Sequence, residues 1–147
     1  LMLALVKERL SRAPELFARM AGRAGDPWQR LERCVDLFTT ALRIRHPGTG
    51  RLLLVSLAEA VQDGGVRAGL HRRFRGLVDY LAEIIADGIA QGLFRPDADP
   101  RGLASLLVAT ADGVAVYWVT GTPEIDLDVM RSTILSMRRS DLLMKKE

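Results

Sequence analysis

The residue in this sequence best placed to do chemistry is a carboxylate in apolar surroundings. Asp112 sits near the middle of "GLASLLVATADGVAVYWVTG", Gly102 to Gly121, and is the one charged residue in that run. A carboxylate in an apolar helix has two roles open to it. It can hold the fold together by accepting hydrogen bonds from neighbouring helix ends or pairing with an arginine, or it can face a cavity and bind a cationic or hydrogen-bonding ligand. Thr110 and Tyr117 stand close enough in sequence to add the few polar anchors an apolar pocket carries.

The other reactive side chains form no constellation. His46 and His71 are the two histidines, and neither has metal-ligand spacing to another His or to Cys34. His46 reads as a loop residue and His71 as a solvated helix residue. Ser56, in "LLLVSLAEA", lacks the glycines of a nucleophile elbow. "HPGTGR" has glycines but no Gly-Lys-Ser/Thr ending, so it is not a phosphate loop. Cys34 reads as a buried structural thiol, although Arg30 and Arg33 would lower its pKa if it were exposed. "HRRFR", His71 to Arg75, reads as a solvated helix face rather than a phosphate-binding patch. No enzyme, metal site or cofactor is expected.

The elements that must position Asp112 are helices. Apolar residues recur at helical spacing along the chain, and no segment alternates at strand length between turns. Leu3 to Met20 is helical, with a kink or a break expected at Pro14, where proline removes a hydrogen bond. Asp26-Pro27 reads as an N-cap and first helical residue. The helix it opens carries Trp28, Leu31, Val35, Phe38 and Leu42 on one stripe and ends near Arg45, before the loop "HPGTG". A third helix, Arg51 to Gln62, should bury Leu53, Leu54, Leu57 and Val61, and Gly64-Gly65 should break it. The longest runs from Val66 to Gln91, burying Leu70, Phe74, Leu77, Leu81, Ile84, Ile85 and Ile89, with Asp79, Glu83 and Asp87 on its wet side. Gly92 caps it. Asp99-Pro100 opens the apolar helix, and Leu127 to Met137 closes the fold after a turn at "GTPEI". The expected class is all-α, with six or seven helices in a single domain spanning residues 1–147.

Composition agrees. The chain has 147 residues and a net charge of +3, and arginine supplies 18 of its 21 basic residues. That balance is weak support for a nucleic-acid surface, which needs clustered basic residues. One cysteine allows no internal disulfide, in keeping with a cytoplasmic protein, and no signal-peptide pattern opens the chain. The apolar run is long enough to span a bilayer. A carboxylate at mid-membrane costs about 2.5–3.5 kcal/mol, however, and the run is rich in Gly, Ala, Ser and Thr, so no membrane partner is expected. A helix apolar all round must instead be covered all round. Its own domain covers one face. A second copy is the economical cover for the other, with the last helix beside it in a four-helix interface.

"GIAQGLFRPDADPRGLASLLVATADGVAVYWV" resembles the C-terminal regulatory domain of TetR-type transcriptional repressors. In that family a long helix ends at a glycine, a "G-x-F-R-x-D-x-D-P" connector follows (here Gly92 to Pro100), and an apolar helix with a central Asp-Gly comes next (here Asp112-Gly113). "LMLALV" resembles the start of the helix that joins the family's DNA-binding head to its body. The resemblance implies a homodimer that binds a small-molecule effector. It also implies an N-terminal helix-turn-helix head that binds operator DNA and is absent from these residues. Because the sequence begins at Leu1, it is expected to start partway through a longer product.

The residues expected to line an effector cavity are Trp28, Phe38, Leu42, Leu54, Phe74, Leu81, Thr110, Asp112 and Tyr117, with Tyr80 and Trp118 as further wall candidates. This lining favours an apolar or aromatic effector. The dimer interface is expected at Leu106, Ala109, Gly113, Val116, Met130, Ile134 and Met137. The competing reading is a helical dimerisation or scaffold module with no ligand cavity.

Overall fold

A computed structural model describes residues 2–44 and 48–137. His46 and Arg45 lie outside them. The described residues form six helices: α1 (Met2–Ala21), α2 (Pro27–Ile44), α3 (Gly48–Ala60), α4 (Gly64–Ala90), α5 (Pro100–Val119) and α6 (Leu127–Ser136).

Side-chain caps begin most of them. Asp26 accepts from the Gln29 backbone N–H at 2.8 Å while the Gln29 side chain accepts from the Asp26 N–H at 3.0 Å, a reciprocal capping box. Asp63, Asp99 and Asp126 cap α4, α5 and α6. Glycines in the left-handed region end α4 and α5. Gly92 (φ 73°) and Gly121 (φ 74°) each stand just past the helix, and the next residue's N–H reaches back to Gly88 O or Tyr117 O.

α4 is the axis of the domain and packs against α1, α2, α3 and α5. The main core joins its Val78, Tyr80, Leu81, Ile84 and Ile85 to Trp28, Leu31 and Cys34 of α2 and to Ala104 and Val108 of α5. Phe74, Leu77 and Ile89, expected on the same face, are half-buried at its margin, and Leu70 is half-buried against the two smaller clusters around Val66 and Leu42. Phe94 closes the turn after α4, its ring seated on Gly88, where a Cβ would stand 2.3 Å from a ring carbon. On the wet side, Asp79, Glu83 and Asp87 pair with Arg101, Arg23 and Arg30, each arginine coming from a different part of the chain.

Three sequence expectations are corrected. α1 runs through Pro14 as one helix, and the proline ring lies against Gly76 of α4, where a Cβ would come within 2.7 Å of it. Gly48 to Gly50 are not loop but the first turn of α3. Gly50 lets that turn approach α5, since a Cβ there would meet Val119 at 2.8 Å. Gly64-Gly65 likewise opens α4 behind the Asp63 cap rather than only ending α3.

Of the four residues expected on the buried face of α3, only Leu53 is buried. Gly50, Leu53, Ser56 and Ala60 face inward, while Leu54, Leu57 and Val61 are 40 %, 42 % and 76 % exposed. α3 lies on both α4 and α5, and small side chains on the inner line let it approach both. The Ser56 hydroxyl is buried because it donates to its own helix at Leu52 O, 2.5 Å away.

Candidate functional site

Asp112 leaves the inner face of α5 and meets Arg73 of α4. The guanidinium grips the carboxylate with two parallel bonds, Nη1 to Oδ2 at 2.9 Å and Nη2 to Oδ1 at 2.8 Å. Both side chains are about one-fifth exposed. Of the two roles open to Asp112, pairing with an arginine is therefore realised. The pair ties α4 to α5 at mid-helix.

The exposed fraction of the pair faces a groove of about 480 Å³ between α3, α4 and α5. That volume lies in the range of small-molecule sites. Leu57 forms its α3 side, Leu70, His71, Arg73 and Phe74 its α4 side, and Ala109, Asp112, Gly113, Val116 and Tyr117 its α5 side. The surface is chiefly apolar, with the ion pair as its polar centre.

Of the expected cavity residues, Phe74, Asp112 and Tyr117 come together here. The others stand elsewhere. Trp28 and Leu81 are in the main core, with the indole Nε1 of Trp28 donating to Glu32 at 2.5 Å. Phe38 and Leu42 pack in a separate cluster with Leu53, Ala115 and Leu127. Leu54 is on the outer face of α3, and Thr110 is exposed on α5, its hydroxyl donating to Leu106 O at 2.7 Å. Tyr80 is a core residue whose hydroxyl donates to Gly22 O at 2.7 Å. Trp118 borders a second groove of about 590 Å³ with Arg43, Gly121, Thr122, Pro123 and Ile125.

The residues expected at a dimer interface divide between the groove and the surface. Ala109, Gly113 and Val116 line the groove, and Leu106 is 63 % exposed on the outward stripe of α5. Met130, Ile134 and Met137 are half-buried at α6. α6 lies on α2 through the Arg43–Asp128 and Arg131–Asp36 pairs.

Arg73 was hidden within "HRRFR". His71, Arg72 and Arg75 are exposed, as a solvated face requires, but Arg73 turns inward. The available signal was spacing: Arg73 falls three after Leu70 and four before Leu77, on the apolar stripe itself.

The buried thiol is electrostatically quiet. Burial pushes Cys34 up from 9.0 to about 11, against the opposing pull of Arg30 and Arg33. Among the described residues no group of three or more His, Cys, Asp or Glu side chains is arranged to hold a metal ion.

A family model described as the C-terminal domain of BetI-type transcriptional repressors matches residues 27–138. Among curated protein sequences there is no match. Solved structures of regulators share the fold. A transcriptional regulator from Saccharomonospora viridis in complex with choline aligns with a TM-score of 0.77 at 24 % identity, over 97 % of this chain and 75 % of that one. The fatty acid degradation regulator FadR from Bacillus halodurans aligns at 0.72 and 21 %, over 98 % and 73 %. FadR from Bacillus subtilis in complex with stearoyl-CoA aligns at 0.68 and 19 %, over 94 % and 73 %.

Proposed function

The chain belongs to the BetI-type transcriptional repressors through their C-terminal domain, and we propose that its α3–α4–α5 groove is the effector site of a dimeric regulator. It is a TetR-like regulatory domain, and its family and structural neighbours are regulators rather than enzymes. The observation that carries the effector reading is the apolar groove with one ion pair at its centre. Such a surface suits a small apolar or aromatic molecule oriented by one or two polar contacts.

The regulators of similar fold hold a small cation in one case and a long acyl thioester in another, so the fold alone does not prescribe the ligand. Phe74, Asp112 and Tyr117 bind the effector in this reading. Trp28, Phe38, Leu42, Leu54, Leu81 and Thr110 stand outside the groove and are not part of the effector contact in this reading. The outward stripe of α5 with α6 forms the homodimer. Operator DNA is bound by an N-terminal head, in the cytoplasm. Effector occupancy moves α1 and thereby the spacing of the two heads, which must match the half-sites.

A thermal-shift screen of small apolar compounds tests the effector reading. A ligand specific for the native state stabilises it by about 2.7 kcal/mol at a hundredfold excess over Kd. A screen without any shift favours the scaffold module.

A further inference from the structure

An ion pair inside a groove restricts which ligands the groove can accept. Each oxygen of Asp112 receives one bond from Arg73, and each terminal nitrogen of Arg73 gives one. A carboxylate has about four lone-pair positions and a guanidinium five N–H donors. The pair is therefore electrically closed but retains both acceptors and donors.

An ionic ligand either breaks this arrangement or, using the acceptors and donors that remain, adds a net charge beside a neutral pair in a partly desolvated place. An ammonium that took Asp112 would leave Arg73 with no second carboxylate on the groove wall. A carboxylate that took Arg73 would leave Asp112 among Leu57, Leu70, Phe74 and Val116, with no second cationic Arg or Lys side chain on the groove wall and only His71 and Tyr117 at its exposed edge. Either exchange strands a charge in a partly desolvated place. A hydroxyl or carboxamide does not. It donates to a free Asp112 lone pair, accepts from a free Arg73 N–H, and leaves both existing bonds in place.

We propose that the groove selects an uncharged, chiefly apolar ligand carrying one group that both donates and accepts a hydrogen bond, an alcohol or a primary amide, and that it binds with the Arg73–Asp112 pair intact. This rests on the effector reading above and sets the ligand's class against the choline cation held by one structural neighbour.

The test is a series with one apolar body and four head groups: phenylbutanol, its methyl ether, phenylbutylammonium and phenylbutanoate. Affinities are measured by ligand-observed NMR titration, with displacement of one member by another establishing a shared site. The alcohol should bind at least tenfold tighter than either ion and clearly tighter than the ether, which accepts but cannot donate. In the double variant Arg73→Met with Asp112→Leu, the alcohol's advantage over the ether should disappear. In Asp112→Asn, which keeps the shape if the double variant does not fold, it should shrink. An ion as the tightest ligand overturns this inference and leaves the effector reading standing. An alcohol-to-ether ratio unchanged in the variants also overturns it, by placing the head group elsewhere. Binding by no member of the series removes the effector reading itself, and this inference with it.

Discussion

α4 and α5 invert the usual relation between composition and burial. α4 carries seven charged residues along its length and is nevertheless the axis of the fold, packed by four other helices. α5 is apolar enough to cross a membrane by length and composition, yet only Ala104, Val108 and Ala115 on it are fully buried. The difference lies in how each helix's neighbours are supplied. α4 pairs its three acidic residues with arginines from elsewhere in the chain and turns one of its own arginines, Arg73, inward to Asp112. Among the described residues α5 packs chiefly on α3 and α4, with Ala115 also reaching the Leu42–Leu127 cluster, and Leu106 and Tyr117 stay exposed. Apolar composition therefore shows that a surface requires cover without showing which molecule provides it.

The strongest way to sharpen the comparison is at Ile85, which is 0 % exposed on α4. Ile85→Ala removes packed methyl groups where the surroundings relax only in part, and should cost about 2–5 kcal/mol. A denaturant midpoint close to wild type would show that α4 is less central than its packing indicates.

The contact between the two helices comes next. Asp112→Asn keeps the shape but weakens the two hydrogen bonds from Arg73 and should cost about 1–3 kcal/mol. Asp112→Leu should cost more, because it leaves the guanidinium without its partner. Equal or higher stability in both variants would show that the pair is not a structural tie. Replacing both partners by apolar residues should recover part of the loss, and a double-mutant cycle isolates the coupling.

The α2–α4 seam adds a smaller, pH-dependent effect. Cys34 has its folded pKa raised by burial, from 9.0 to about 11. The folded chain therefore holds the thiol proton more tightly than the unfolded chain does. That contribution is complete below pH 9 and is lost as pH rises through about 11. Tyr80 beside it is raised by burial too and acts in the same direction. The Cys34 share is the difference in alkaline stability between wild type and Cys34→Ala. Parallel profiles for the two proteins would contradict the buried thiol. Alkylation of the folded chain at neutral pH should be slow for the same reason.

Helix order and most boundaries were legible because caps and terminal glycines act locally. Asp26, Asp99, Asp126 and Gly92 perform the roles their sequence contexts indicate. The errors fell where tertiary packing overrode local preference. Pro14 and the glycines at positions 48 and 50 look like breaks, but Gly76 and Gly50 are sites of close helix approach, and no local rule marks that. On α3 only Leu53 of the expected stripe faces inward, because the rest of the inner line is Gly50, Ser56 and Ala60, small residues that a hydrophobic pattern does not mark. At the groove, Asp112 was visible as an isolated charge in an apolar run. Arg73 was not, because it stands among four neighbours that include three other basic side chains and a phenylalanine.

The smallest expected effect on the folded chain is at Leu106, and it is the direct counterpart of Ile85. Both are large aliphatic residues on long helices, but Leu106 is 63 % exposed. In a single chain its side chain contributes little, so Leu106→Gln should change stability by no more than about 0.5 kcal/mol. In a dimer that covers the outward stripe of α5 the same substitution places an amide in an apolar contact. Association should weaken, and sedimentation at micromolar concentration should show mass moving from dimer to monomer. The two contributions separate by concentration. Where wild type is dimeric, melting depends on protein concentration and the variant melts lower. On dilution into the monomer range the two curves should converge. Curves that stay apart by the same margin at every dilution would mean that Leu106 is covered within its own chain. The exposed stripe of α5 would then need no partner, and the contrast with α4 would fail.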